Sequence, residues 1–151
     1  MPNKLPLATL IELAQSKADE ATRRLGQLQH AHTSAAEKLD LLNRYRQEYM
    51  DQLAQHMQDG VSAAHLHNFR QFIATLDIAI EQQRALTTQA DSRLAHGRND
   101  WQRSKCRLNS FDTLAERVQR QELAALARRE QRDSDERAAR QFYLRSGAEN
   151  D

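Results

Sequence analysis

The chain has 151 residues, of which 39% are hydrophobic and 5% aromatic, with four glycines and two prolines. Both prolines, Pro2 and Pro6, precede residue 7 and β-branched aliphatic residues are few, which excludes a β-sandwich, a β-barrel and an α/β sheet. Lys and Arg number 22 against 21 Asp and Glu, so the chain as a whole has no net basic field for nucleic acid or anionic lipid. The richness in Ala, Leu, Arg, Gln and Glu is typical of long helices and coiled coils, and we expect one all-α domain over residues 1–151.

The first predicted helix runs from about residue 7 to 57 and carries a heptad repeat. Alternating steps of four and three residues give a stripe that is mostly apolar, as a two-helix seam requires. The stripe consists of Leu7, Ile11, Ala14, Ala18, Ala21, Leu25, Leu28, His32, Ala35, Leu39, Leu42, Arg46, Tyr49, Leu53 and His56.

The repeat stops at residues 58–62, where we predict the turn of a hairpin. Gly60 suits the position after a helix end, where a positive φ is needed, and Ser62 suits the N-cap of the next helix.

The second predicted helix runs from about residue 63 to 142 and has a matching stripe. Its members are Leu66, Phe69, Ile73, Leu76, Ile80, Gln83, Thr87, Ala90, Leu94, Gly97, Trp101, Ser104, Leu108, Phe111, Ala115 and Val118. One short turn makes the two helices antiparallel, so facing residues have numbers that add up to about 120. Trp101 should then lie level with Ala18 and Ala21.

The second helix is longer than the first, which predicts an overhang. Leu7 lies opposite about Thr113, and residues 117–141 therefore have no helix of the same chain beside them. We expect residues 143–151 to form a flexible tail.

Two glycines, Gly26 and Gly97, interrupt the predicted helices at about one level of the hairpin. Each costs about 1 kcal/mol relative to alanine in a helix. They indicate either a close approach or hinge of the two helices, or two tolerated defects.

Residues that could carry catalysis or bind a metal are scattered. His30 and His32, like His65 and His67, are two residues apart and point to different helix faces, whereas a metal site needs ligands three or four apart. The single cysteine, Cys106, excludes an internal disulfide. We expect no enzyme, no cofactor and no metal. No apolar run reaches the ~18 residues of a membrane helix, and we expect a cytoplasmic protein without direct membrane insertion.

Apolar and aromatic residues are in surplus near the turn. On the second helix they follow the spacing i, i+4, i+7, i+11, as Phe72, Leu76, Ala79 and Gln83. On the first helix Leu42, Tyr45 and Tyr49 lie at the same level. These residues form either an exposed patch for a partner, or the margin of a wider seam that absorbs them.

The chain resembles the FliJ family of the flagellar type III export apparatus over essentially its whole length. The resemblance rests on residues 7–10 with Leu13 and Ala14, on 68–76 with 79–82, on 101–105, and on 113–117. It implies a long antiparallel coiled-coil hairpin similar to the stalk-like γ subunit of rotary ATPases.

Partners follow from this resemblance. They are the export ATPase FliI hexamer, which would receive the end with both termini, the cytoplasmic region of the export-gate protein FlhA, and flagellar substrate chaperones. The protein would be peripherally associated with the export apparatus at the inner membrane.

The resemblance also implies site residues. The gate-contacting face of the family maps to Phe72, Leu76, Ala79 and Gln83, with Leu42, Tyr45 and Tyr49 adjacent. Gln83 stands where a histidine can occur in the family, and Lys38 where a glutamine can, which affects the rim of this face but leaves its apolar centre.

The terminal end carries Arg117, Arg120, Arg128 and Arg129, which either meet acidic groups in the ATPase ring or form a solvated face. Alternatives to the export role are a generic coiled-coil adaptor, the analogous stalk of an injectisome type III secretion system, and a binder of nucleic acid or membrane surfaces through the C-terminal arginines.

Overall fold

The computed structural model describes residues 6–149, and these form two helices. Helix α1 spans Leu7–Asp59 and helix α2 spans Ala63–Ala148. No strand occurs among residues 6–149. The prediction of an all-α, two-helix hairpin is therefore confirmed.

The two helices extend further than their predicted ends. Helix α1 ends at Asp59 rather than near residue 57, directly before Gly60. Helix α2 continues to Ala148 rather than ending near 142, because no proline or glycine lies between residue 142 and Gly147. Residues 143–148 are thus helical and not a tail, whereas residues 150 and 151 of the expected tail lie outside the described residues.

The turn has the predicted chemistry. Gly60 adopts a φ of 89°, a conformation that side chains with a Cβ rarely tolerate. The Ser62 hydroxyl accepts a hydrogen bond from the backbone N–H of His65 at 3.2 Å, and the Ser62 carbonyl accepts one from the N–H of Leu66 at 3.0 Å. A positive-φ glycine and a serine N-cap thus reverse the chain within three residues.

The contacts divide the chain into two compact units. The turn-side unit comprises Ser16–Lys105, and the terminal unit comprises Met1–Gln15 with Cys106–Asp151.

The core of the turn-side unit is a thin seam between α1 and α2. All seam positions predicted in this unit are buried or half-buried, except His56, which is exposed. The residues buried most deeply are Ala18, Ile73, Leu76, Ile80 and Leu94. Trp101 Nε1 donates a hydrogen bond to Thr22 Oγ1 at 3.1 Å, which confirms the antiparallel register close to the predicted one.

The two mid-helix glycines differ in their surroundings. A Cβ on Gly97 would lie 2.5 Å from Leu28 Cδ1 and 3.8 Å from Leu25 Cδ1, so Gly97 marks a close approach of the helices. Gly26 has no atom within 4 Å of where its Cβ would be and is exposed. One of the two open interpretations therefore holds for each glycine: close approach at Gly97, a tolerated defect at Gly26.

The terminal unit is described for residues 6–15 and 106–149. Ala14 and Leu108 are buried in it, and Phe111, Ala115 and Val118 are half-buried. From residue 119 to 149 every side chain is exposed, as expected for an overhang. Among residues 6–149 no helix is long and apolar enough to cross a membrane.

Candidate docking surface

Aromatic side chains of both helices meet near the turn. The ring of Tyr49, on α1, lies 4.3 Å from that of Phe72 and 6.1 Å from that of Phe69, centroid to centroid, and His56 lies 5.4 Å from Phe69. Phe69 lies in the seam. Phe72, three residues later on α2, and Tyr49, on α1, extend the apolar surface from the seam toward solvent. These four rings hold each other in place, because offset and edge contacts of this kind are favourable beyond the area they bury.

A shallow groove runs beside this aromatic cluster. It has a volume of about 270 Å³ and is lined by Tyr49, His65, Asn68, Phe69 and Phe72. Phe72 is 41% exposed, although it is a large apolar side chain held by a neighbouring ring. An exposed aromatic residue supported in this way is typical of an anchor for a partner.

The remaining predicted gate-face residues on α2 are less accessible. Leu76 is only 7% exposed and belongs to the seam. Ala79 is half-buried. Gln83 is half-buried too, and its side-chain Nε2 donates a hydrogen bond to the Ala35 carbonyl at 3.0 Å, which the Thr87 hydroxyl also approaches at 3.3 Å. Leu76 and Gln83 thus hold the hairpin together, and Phe72 is the residue of this face that is free to contact a partner.

On α1, the three predicted residues differ in exposure. Tyr45 is 46% exposed, whereas Leu42 and Tyr49 are half-buried. Tyr45 precedes Tyr49 by four residues and therefore lies on the same side of α1 as the ring that contacts Phe72. The structure thus brings Tyr49 and Phe72 into contact and leaves Phe72 and Tyr45 exposed, whereas a role of these side chains as a patch for a partner stays a prediction.

Two charged contacts between the helices lie away from Phe72. Asp77 follows Phe72 by five residues, which is about 140° around the helix, and it accepts a hydrogen bond from Arg46 Nε at 2.6 Å. His32 lies 3.7 Å from Asp91 in a second contact between the helices. Asp77 and Asp91, which make these two contacts, therefore lie on a different side of α2 from Phe72.

Sequence reasoning did not assign His65 and Asn68 to this surface. Their signal is present in the spacing, because His65 and Asn68 precede Phe69 and Phe72 by four residues and therefore share a helix face with them. Within residues 6–149 no group of three His, Cys, Asp or Glu is arranged to hold a metal ion. Cys106 is exposed and reduced.

The four arginines predicted to meet the ATPase ring all lie in the terminal unit, and all are exposed. Arg120 Nη2 lies 3.6 Å from a carboxylate oxygen of Glu116, one turn earlier. An exposed pair of this kind contributes little to stability, so the guanidinium group stays available to a partner.

Comparison with known proteins agrees with the architecture. The sequence model of the family described as "Flagellar FliJ protein" matches residues 3–147. The flagellar FliJ proteins of Salmonella typhi and of Escherichia coli K12 are each 36% identical over 134 residues, covering 89% of this chain and 91% of theirs.

A solved structure shares the fold. The structure of CT670 from Chlamydia trachomatis, described as a YscO homolog, superposes with a TM-score of 0.66 at 15% identity and covers 93% of this chain and 91% of its own. The family match over nearly the whole chain, together with the helical hairpin, shows that the chain belongs to the flagellar FliJ family and is a component of flagellar type III protein export.

Proposed function

We propose that this chain is a non-catalytic stalk of the export apparatus that binds the cytoplasmic region of the gate protein FlhA through Phe72 and its neighbours. The observation that carries the proposal is that Phe72 is 41% exposed while its ring is held 4.3 Å from that of Tyr49. Exposure of apolar area to water is unfavourable. Binding of a partner that covers a rigid, exposed aromatic side chain is therefore favourable.

Two further features support an apolar gate contact. Tyr45 adds exposed aromatic area on α1, and the ion pair of Arg46 with Asp77 lies away from Phe72. The neighbours of Phe72 three and four residues away along α2 are uncharged, which avoids the desolvation cost that charged groups impose when an interface closes. The groove beside Phe72 would receive an apolar side chain of the gate protein.

Replacing Phe72 with alanine is expected to weaken binding of a purified FlhA cytoplasmic fragment about 30-fold, the loss of about 2 kcal/mol typical of an aromatic anchor. Isothermal titration calorimetry measures the affinity, and swimming in soft agar measures the consequence for export. Circular dichroism should show unchanged helicity, because Phe72 lies outside the buried seam.

The matched control is Ile78→Ala. Ile78 is 62% exposed on the same helix but lies about 120° around it from Phe72. The Ile78→Ala variant should bind the FlhA fragment with the same affinity as the unchanged chain. Equal affinity of the Phe72→Ala chain and the unchanged chain would refute this gate surface. Leu76 is unsuited to the test, since its burial means that a truncated Leu76 weakens the hairpin itself.

For the second partner, we propose that the exposed arginines of α2 engage the FliI hexamer. All side chains from 119 to 149 are exposed, and Arg117, Arg120, Arg128 and Arg129 supply positive charge without a buried partner. Charged groups at such an interface act mainly on the rate of association and on its salt dependence.

Reversing these four arginines to glutamate is expected to abolish stimulation of FliI ATP hydrolysis at low salt, because attraction to acidic groups of the ring turns into repulsion. A coupled assay of phosphate release, repeated at several salt concentrations, checks this. The control reverses four exposed arginines of the turn-side unit, Arg70, Arg93, Arg98 and Arg103, with the same change in net charge. Equal loss in both variants would contradict a specific role of the terminal arginines.

Binding of flagellar substrate chaperones and peripheral association with the inner-membrane apparatus complete the proposal. Both rest on membership of the family and on the exposed, unpartnered length of α2. A stalk that contacts ring and gate at different places could couple ATP hydrolysis to export without any chemistry of its own.

A further inference from the structure

On one face of the exposed part of α2, acidic residues precede basic ones, so that a reversed copy of the same face would place opposite charges together. Steps of three and four residues select seven side chains that fall within about 100° around the helix. These are Leu123, Leu126, Glu130, Asp133, Arg137, Arg140 and Leu144. We refer to them as the terminal stripe. It has leucines at both ends, two acids in its first half and two bases in its second half, over about 32 Å.

Among residues 6–149 the terminal stripe has no partner. Leu123, Leu126 and Leu144 are 59%, 51% and 74% exposed. Within residues 6–149, neither the two acids nor the two bases of the stripe form an ion pair or a side-chain hydrogen bond, although Asp133 and Arg137 have the spacing for one. Four charges and three leucines therefore face solvent on a single side of a helix that has nothing packed against it.

The order of charges indicates what could cover this face. If an identical stripe lies antiparallel to it, the layers of a two-stranded coiled coil place Leu126 opposite Leu144 of the second copy. The same register places Glu130 opposite Arg140 and Asp133 opposite Arg137 of the second copy. In a parallel arrangement each acid would face the same acid, which costs free energy.

We propose that a second copy of this chain docks antiparallel on the terminal stripe. The interface is isologous, so each charged layer and each leucine layer occurs twice. Leucine contacts form at the two ends of the paired stripes. Opposite charges between them favour the antiparallel direction and the register of the two helices. A single exposed, highly charged helix is marginally stable in water, and pairing would also stabilise the helical state of residues 123–144.

The pairing is expected to be weak and dependent on concentration. Only the leucines contribute apolar contact, and association must offset the loss of translational and rotational freedom. A dissociation constant of about 10–100 µM is the expected range. The isolated chain suffices for the test, so the result is independent of whether the gate and ATPase contacts proposed above exist.

Charge exchange provides the experiment. A variant with Arg137→Glu and Arg140→Glu has four acids on the stripe, and one with Glu130→Arg and Asp133→Arg has four bases. Sedimentation equilibrium of the full chain up to about 500 µM should show dimers for the unchanged chain and monomers for each variant alone, and the equimolar mixture of the variants should dimerise again.

The matched control reverses Arg128 and Arg132 to glutamate, on the opposite face of α2, with the same change in net charge as the acidic variant. It should dimerise as the unchanged chain does. A monomeric unchanged chain at the highest concentration would overturn the proposal. So would dimers that survive both charge reversals, or a mixture of the variants that stays monomeric.

Discussion

Replacing Leu94 by alanine is expected to lower the free energy of unfolding by about 2–3 kcal/mol. Leu94 is 5% exposed and lies in the seam of the turn-side unit, where few other side chains share the burial. The lost methyl groups remove transfer free energy and leave a cavity. We expect the lower part of the usual range, because two helices can close partly around a cavity that a larger core would retain. Urea denaturation followed by circular dichroism at 222 nm measures the change.

Leu86→Ala is the matched control for this substitution. Leu86 lies on the same helix, about two helical turns closer to Gly60, and is 53% exposed. The same change of side chain there should alter the free energy of unfolding by less than about 0.5 kcal/mol. Equal losses at the two positions would show that the seam inferred from burial does not stabilise the hairpin.

Replacing Gly97 by leucine is expected to destabilise the protein by about 1–3 kcal/mol through overpacking. Even a methyl group at this position would come within 2.5 Å of Leu28 Cδ1 and within 3.8 Å of Leu25 Cδ1. A whole leucine side chain needs more room still, so Leu28 must move and the packing of α1 against α2 must change. This cost exceeds the gain in helix propensity of about 1 kcal/mol that the loss of glycine brings. Thermal and urea unfolding measure the difference.

The same substitution at Gly26 should have the opposite sign. Gly26 has open space around its Cα, so Gly26→Leu brings the helix-propensity gain without a clash and should stabilise the protein by about 0.5–1 kcal/mol. If Gly97→Leu stabilised the protein as Gly26→Leu does, the close approach of α1 and α2 at Leu28 would be refuted.

The elements and their pairing were predictable from the sequence because they depend on local patterns. The heptad stripe predicts which residues are buried, since a mean spacing of 3.5 residues keeps the same side of a helix toward its neighbour. Gly60 and Ser62 locate the turn, since each satisfies a local backbone requirement. The end of α2 was less predictable, because sequence cues to helix ends are weak when no proline or glycine stands between residue 142 and Gly147.

The sequence predicted where along the hairpin the candidate docking surface lies, but not which of its residues are exposed. The periodicity placed Phe72, Leu76, Ala79 and Gln83 on adjoining positions of one helix face. A helical repeat drifts relative to a straight seam, so neighbours on such a face divide between core and solvent according to how closely the second helix packs. The gate and ring contacts themselves remain predictions.

Composition and spacing were enough to determine two antiparallel helices, one turn and a register, because each depends on residues close together along the chain. Packing of α1 against α2 decided the rest. It buried Leu76 and left Phe72 exposed, engaged the Gln83 amide with the Ala35 carbonyl, and distinguished Gly97 from Gly26. Two residues with the same spacing or of the same type differ in these respects only through the distance and rotation of the opposite helix, which no local pattern specifies.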